Sequence, residues 1–200
     1  METLKILLPI IALIVSVITI YIGKKNNRRQ LRIGKLEEIL ESILFLSNYY
    51  SQLWILAKYL KKIEVKAEEN LSTKDLEKQF KERLEEFLKF LERDKVQQIT
   101  SRISVLANAY LPNGKLKNRI MTFNHLSGAL FGGIIHRDYK NIIDYYYPHG
   151  IPRPKKMGEL LILIEKDLIK QMKLGYSSLN NKEFEKYRLH DFINDAGIGK

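Results

Sequence analysis

The hydrophobic pattern divides the chain into two unequal parts. From Ile6 to Ile22, seventeen residues pass without a charge. As a helix rising ~1.5 Å per residue they reach about 25 Å, close to the ~30 Å of a bilayer's hydrocarbon core. Beyond Ile22 the apolar residues recur at threes and fours, the mark of helices with one buried face. Leu36, Ile39, Ile43, Leu46, Tyr50, Leu53, Ala57 and Leu60 draw one stripe over residues 31–66. Leu76, Phe80, Leu84, Phe87, Leu91, Ile99, Ile103 and Leu106 draw a second, which lapses at Asp94 and Lys95. A third helix is expected over 116–146, a fourth over 159–174 closed by Gly175, and a short amphipathic one over 183–193. No stretch alternates as a strand would.

Breakers fall between these segments. Ser72, with Asp75 three residues on, suits a helix start after a turn at 67–73, so the first two helices are expected to form an antiparallel hairpin. Leu111-Pro112-Asn113-Gly114 is a turn, because proline ends a helix and Asn-Gly tolerates positive φ. Pro148 to Gly158 holds three prolines and reads as a stiffened loop. Only Gly23, Asn26 and Asn27 stand between the apolar segment and the first stripe, so the two are expected to be nearly continuous. In the third helix Gly128, Gly132 and Gly133 suggest another backbone packed close, since glycine weakens a helix by ~1 kcal/mol against alanine.

The fold class is therefore all-α. Residues 1–23 form an N-terminal transmembrane anchor, 24–35 a basic juxtamembrane segment, and 36–194 a cytoplasmic bundle of about four helices, two of them long. Residues 195–200 form a frayed tail. A secretory signal peptide fits the first segment less well, for Glu2 offsets Lys5 and no small-x-small site follows the apolar core. The uncharged run from Ser42 to Ala57 could be a second span. Its five serine, asparagine and glutamine residues favour a buried bundle helix instead.

Charge sharpens this picture. The formal net charge is +11. Residues 24–35 carry +6 from Lys24, Lys25, Arg28, Arg29, Arg32 and Lys35, with no acid among them. Cytoplasmic flanks of membrane helices are rich in lysine and arginine, so the N-terminus is expected outside and the bundle in the cytoplasm, a single pass through the cell membrane. The six cations also suit anionic headgroups. Residues 101–157 hold nine basic and two acidic groups, a second positive block. There is no cysteine, which removes disulfides, thiolate metal sites and a cysteine nucleophile. The four histidines, His125, His136, His149 and His190, include no pair three or four residues apart, so neither a metal nor a cofactor is expected.

In the second block Lys115, Lys117, Arg119, Arg137, Lys140, Arg153, Lys155 and Lys156 are interleaved with tyrosines. They form a candidate surface for an anionic lipid or an acidic protein partner, with nucleic acid as a third class, and homo-oligomers are compatible with it. One motif inside the block points to chemistry. Arg119-Ile-Met-Thr-Phe-Asn-His125, on a helix of a bundle, resembles the signature of the HEPN ribonucleases. The resemblance implies that the pair polarises an RNA phosphate and assists attack by the 2′-hydroxyl. Ile120 departs from it, standing where that family usually has a polar residue. The expected function is a non-catalytic, membrane-anchored interaction or scaffold module with a basic surface near the inner leaflet. The alternative is a membrane-tethered ribonuclease using Arg119 and His125, which needs both side chains at one exposed cleft.

Overall fold

The computed structural model describes residues 2–173 and 191–195, with the backbone alone for residues 2–12, 93, 173 and 193. Among the described residues every regular element is helical. The first, α1, is one unbroken helix of 67 residues, Glu2–Glu68. The continuity expected across Gly23, Asn26 and Asn27 is complete. These residues cost a helix ~0.5–1 kcal/mol each against alanine, which their leucine, lysine and arginine neighbours can carry.

The described side chains from Leu13 to Leu31 are all exposed, and burial begins at Arg32. The helix therefore extends beyond the bundle as an arm. Among the described residues no helix is long and apolar enough to cross a membrane. The expected span of Ile6–Ile22 straddles the edge of that description, because the side chains of residues 6–12 lie outside it. Its described part, Leu13–Ile22, rises only about 15 Å before Lys24 and Lys25 end it.

From Arg32 onward α1 is the centre of the bundle. The uncharged run between Ser42 and Ala57 lies in the core, where Ile43, Leu46, Tyr50, Leu53, Leu56 and Ala57 are each at most 4% exposed. The helix ends in a left-handed residue, Asn70 at φ 56°, and the Leu71 N–H returns to the Lys66 carbonyl at 2.8 Å, which satisfies a terminal carbonyl as in a Schellman closure. The next helix is capped one residue later than expected. Thr73, not Ser72, is its N-cap, and the Thr73 hydroxyl donates to the Glu77 carboxylate.

The long second helix expected over 74–110 is two helices, α2 (Lys74–Phe90) and α3 (Arg93–Tyr110). The reason lies in the phase of the stripe. Buried positions step by threes and fours through Phe80, Leu84, Phe87 and Leu91, then by five to Val96. In a straight helix five residues rotate Val96 about 140° away from Leu91. The extended backbone of Leu91, φ −90° and ψ 118°, returns it to the core. Both helices run antiparallel to α1, as the hairpin expectation has it. Phe87 meets Tyr49 edge-on at 6.1 Å, Lys95 lies 4.7 Å over the Phe45 ring, and Arg102 pairs with Glu38.

After Gly114, whose φ of 149° favours glycine, α4 runs from Lys115 to His136 parallel to α1. It stops ten residues short of the expected end. Arg137 closes it in the left-handed region at φ 54°, and a six-residue π-helix follows, Tyr139–Asp144. The Asp138 side chain accepts from the Asn141 N–H at 2.9 Å. The Glu64 carboxylate on α1 accepts from the N–H groups of Tyr139 and Lys140.

The last long helix, α5, spans Pro154–Lys173 and starts earlier than expected, with proline at its first position, where a missing N–H costs little. Two bonds set it antiparallel to α1. Tyr50 donates to the Pro152 carbonyl at 2.8 Å, and Arg32 donates to Gln171 at 3.2 Å. The bundle is thus four rods, α1, α2–α3, α4 and α5, alternating in direction. Of the expected helix over 183–193, only its end is described. One turn, α6 (Phe192–Asp195), packs Phe192 into the core at 2% exposure. Gly175, residues 183–190 and the tail from 196 lie outside the described residues.

Two of the glycines in α4 have different surroundings. A Cβ on Gly133 would lie 2.7 Å from Ile143 Cγ1, whereas one on Gly128 would meet nothing within 4 Å. Gly133→Ala should therefore lower stability by ~1–3 kcal/mol through overpacking. Gly128→Ala should raise it by up to ~1 kcal/mol through helix propensity. Thermal unfolding of the two variants checks this, and shifts of the same sign would contradict the packing.

Candidate functional site

The unbroken α1 brings the six juxtamembrane cations onto one face. At ~100° per residue, Lys24, Lys25, Arg28, Arg29, Arg32 and Lys35 fall within an arc of about 140°. The same arc holds Leu36, Ile39, Ile43, Leu46 and Tyr50, so the basic stripe is the core stripe continued past the end of the bundle. Its upper members already belong to the fold. Arg32 is buried and bonded to Gln171, and Lys35 pairs with Glu38 at 2.9 Å. Lys24, Lys25, Arg28 and Arg29 remain exposed.

The alternating rods decide which groups lie near this stripe. The bundle end nearest the arm is built from the C-termini of α3 and α5 and the N-terminus of α4. Lys115, Lys117, Arg119, Lys166 and Lys170 therefore lie at the arm's end. The opposite end holds Glu64, Glu68 and the start of α2, with Asp75 and Glu77 in its first turn.

The eight cations of the second block do not share one surface. Arg137 and Lys140 lie at the far end of α4, and Arg153, Lys155 and Lys156 are level with the middle of α1's core stripe. Lys140 pairs with Glu68 at 2.7 Å, which raises its pKa, and Lys156 pairs with Glu159 at 3.0 Å. Lys117 and Arg119 are buried at 6% and 7% exposure. Arg119 donates from Nη1 to Asp167 at 3.0 Å and from Nη2 to Asp195 at 3.2 Å, while Lys115 meets Asp195 at 3.5 Å. This cluster ties α4 to α5 and α6. Nothing in the local sequence of Arg119 points to it, since its partners are 48 and 76 residues away.

The structure does not bring Arg119 and His125 to one cleft. Six residues apart on α4, they diverge by about 120°. His125 is exposed, and its Nδ1 lies 2.9 Å from the Tyr147 hydroxyl. That hydroxyl also lies 3.3 Å from the Thr122 carbonyl. Tyr146 stands edge-on to the imidazole at 4.8 Å. His125 and Tyr146 line a groove of about 440 Å³ between α3 and α4, whose lining does not include Arg119. Gly128, read from the sequence with Gly132 and Gly133 as a point of close backbone packing, instead lies open on this groove.

Among the described residues no group of three or more histidine or acidic side chains could hold a metal ion. Comparison with protein families, with characterised proteins and with solved structures finds no match.

Lys117 offers a direct check on the end of the bundle. Burial alone lowers its pKa. Its folded pKa lies below its unfolded one, so the unfolded chain binds more protons between the two and stability rises with pH across that window. Lys117→Met removes this cost. It should raise the melting temperature by a few degrees at pH 7, and the gain should shrink as pH climbs toward the unfolded lysine pKa. A melting point that falls at pH 7 would show that the ammonium is stabilising instead.

Proposed function

We propose that this chain is a single-pass, membrane-anchored helical interaction module, non-catalytic, with its N-terminus outside and its bundle in the cytoplasm. The observation that carries this reading is the arm: α1 runs without a break from an apolar segment, through an exposed basic stripe, into the bundle core. From Leu13 to Ile22 the apolar side chains have no cover among the described residues, and every leucine, isoleucine and valine is at least 51% exposed. Together with the uncharged residues ahead of it, that surface suits lipid. The basic stripe then lies at the depth of the headgroups, where each cation contributes ~1 kcal/mol against an anionic leaflet.

The geometry also bears on the partner. Arg32 stands ten residues beyond Ile22, so the end of the bundle sits about 15 Å from the last apolar turn. That is about twice the ~8 Å screening length of physiological salt, so the exposed stripe feels an anionic surface far more strongly than the cations at the end of the bundle do. The ribonuclease alternative finds no such support, because Arg119 is engaged by two carboxylates and His125 lies in a separate groove.

Two experiments test this. A reporter active only outside the cytoplasm, fused after Lys200, should stay silent; strong activity would reverse the orientation. Changing Lys24, Lys25, Arg28 and Arg29 together to glutamine should weaken association with anionic vesicles about tenfold or more at low salt, and little at high salt. Changing Arg153, Lys155 and Lys156 to glutamine should have a smaller effect, since they lie ~25 Å farther up α1. A larger loss from the second set would move the contact surface to the proline-rich loop.

A further inference from the structure

We propose that the outer face of α1 is the interface of an antiparallel homodimer, in which a second copy of this chain lays the same face against it. The observation is a second stripe on α1, on the side away from the core. Glu37, Glu41, Leu44 and Asn48, then Ser51, Ile55, Lys58 and Lys62, follow one another in alternating steps of four and three. On one unbroken helix they fall within an arc of about 100°. Ile55 is half-buried and the others are exposed, Leu44 at 48%. Steps of four and three are the spacing at which two helices hold a common seam.

The order of residues along the stripe specifies the occupant. It reads acid, acid, apolar, polar, then polar, apolar, base, base, so each half complements the other when a copy is turned end for end. A two-fold axis midway between Asn48 and Ser51 sets Glu37 against Lys62 of the second copy and Glu41 against Lys58. The same axis sets Leu44 against Ile55 and Asn48 against Ser51. Each pair occurs twice, as in any isologous contact. The central polar pair fixes the register, the part that a polar seam residue plays in coiled coils. A parallel copy would set acid on acid and base on base. Within one chain the like charges four residues apart repel. Among the described residues Glu37, Glu41, Lys58 and Lys62 form no ion pair, and Lys58 lies 4.2 Å over the Trp54 ring. The pairing is independent of the membrane reading. Its two arms leave in opposite directions, so with both anchored the dimer joins two bilayers, its Ile22 residues about 80 Å apart.

The test uses the full chain in density-matched detergent micelles. Sedimentation equilibrium should show a reversible dimer as the concentration rises from about 1 to 200 μM. Glu37→Lys with Glu41→Lys should weaken it about tenfold or more at low salt, with the helical circular dichroism unchanged, because exposed charges away from the core contribute little to stability. Adding Lys58→Glu and Lys62→Glu to that chain should restore the dimer. Disulfide trapping reads the direction without background, since the chain has no cysteine of its own. Glu41→Cys and Lys58→Cys chains should cross-link when mixed and oxidised. Neither should cross-link alone, because the two copies of residue 41 lie about 25 Å apart. A chain that stays monomeric across the range, a dimer indifferent to the charge reversal, or cross-linking of Glu41→Cys with itself would overturn the proposal.

Discussion

The structure depends on α1 keeping one helical phase from its apolar arm to Glu68. A helix has no hinge at which to re-aim a face, so the angular position of each side chain is inherited from the residues before it. The basic stripe and the core stripe therefore point the same way. The cations overhang the side on which the other rods pack. A kink at Gly23 or at Asn26 and Asn27 would separate the direction of the arm from that of the bundle. Nothing else in the fold would restore it, since α2, α3, α4 and α5 all take their position from contacts on α1. Arg32 marks the transition, with its stem among the bundle helices and its guanidinium on Gln171 of α5.

The architecture was legible in the sequence because it rests on periodicity and breakers. The antiparallel packing of the first two rods, the turn at 67–73 and the core placement of residues 42–57 all follow from apolar spacing and breakers. What was not legible depends on geometry between distant residues. The break at Leu91 is visible only as a five-residue step in an otherwise regular stripe. The early end of α4 has no proline or glycine to announce it. It is set by Arg137 in the left-handed region and by Glu64, 75 residues from Tyr139, accepting the next N–H groups. Local pattern could not foresee a carboxylate arriving from another helix.

Charge was the least legible property. Residues 101–157 look uniformly basic along the chain, yet folding scatters these cations between both ends and the middle of the bundle. An arginine with two carboxylates around it belongs to the packing of α4 on α5 and α6, and says little about a partner. Breaking such a pair leaves a buried charge uncompensated, which costs more than the pair itself contributes. A count of positive residues therefore overstates the surface available to an anion. Among the described residues the exposed cations Lys24, Lys25, Arg28 and Arg29 of the arm have no such internal use.

The glycines of α4 show how one residue type serves unlike ends. Gly133 is required by contact, because Ile143 of the π-helix and the Asp138 carbonyl occupy the place of a side chain. A Cβ on Gly128 would meet nothing within 4 Å, and the residue lies on the groove between α3 and α4. Sequence alone reads both as close packing. Only the structure separates a glycine pressed by its own chain from one that leaves room.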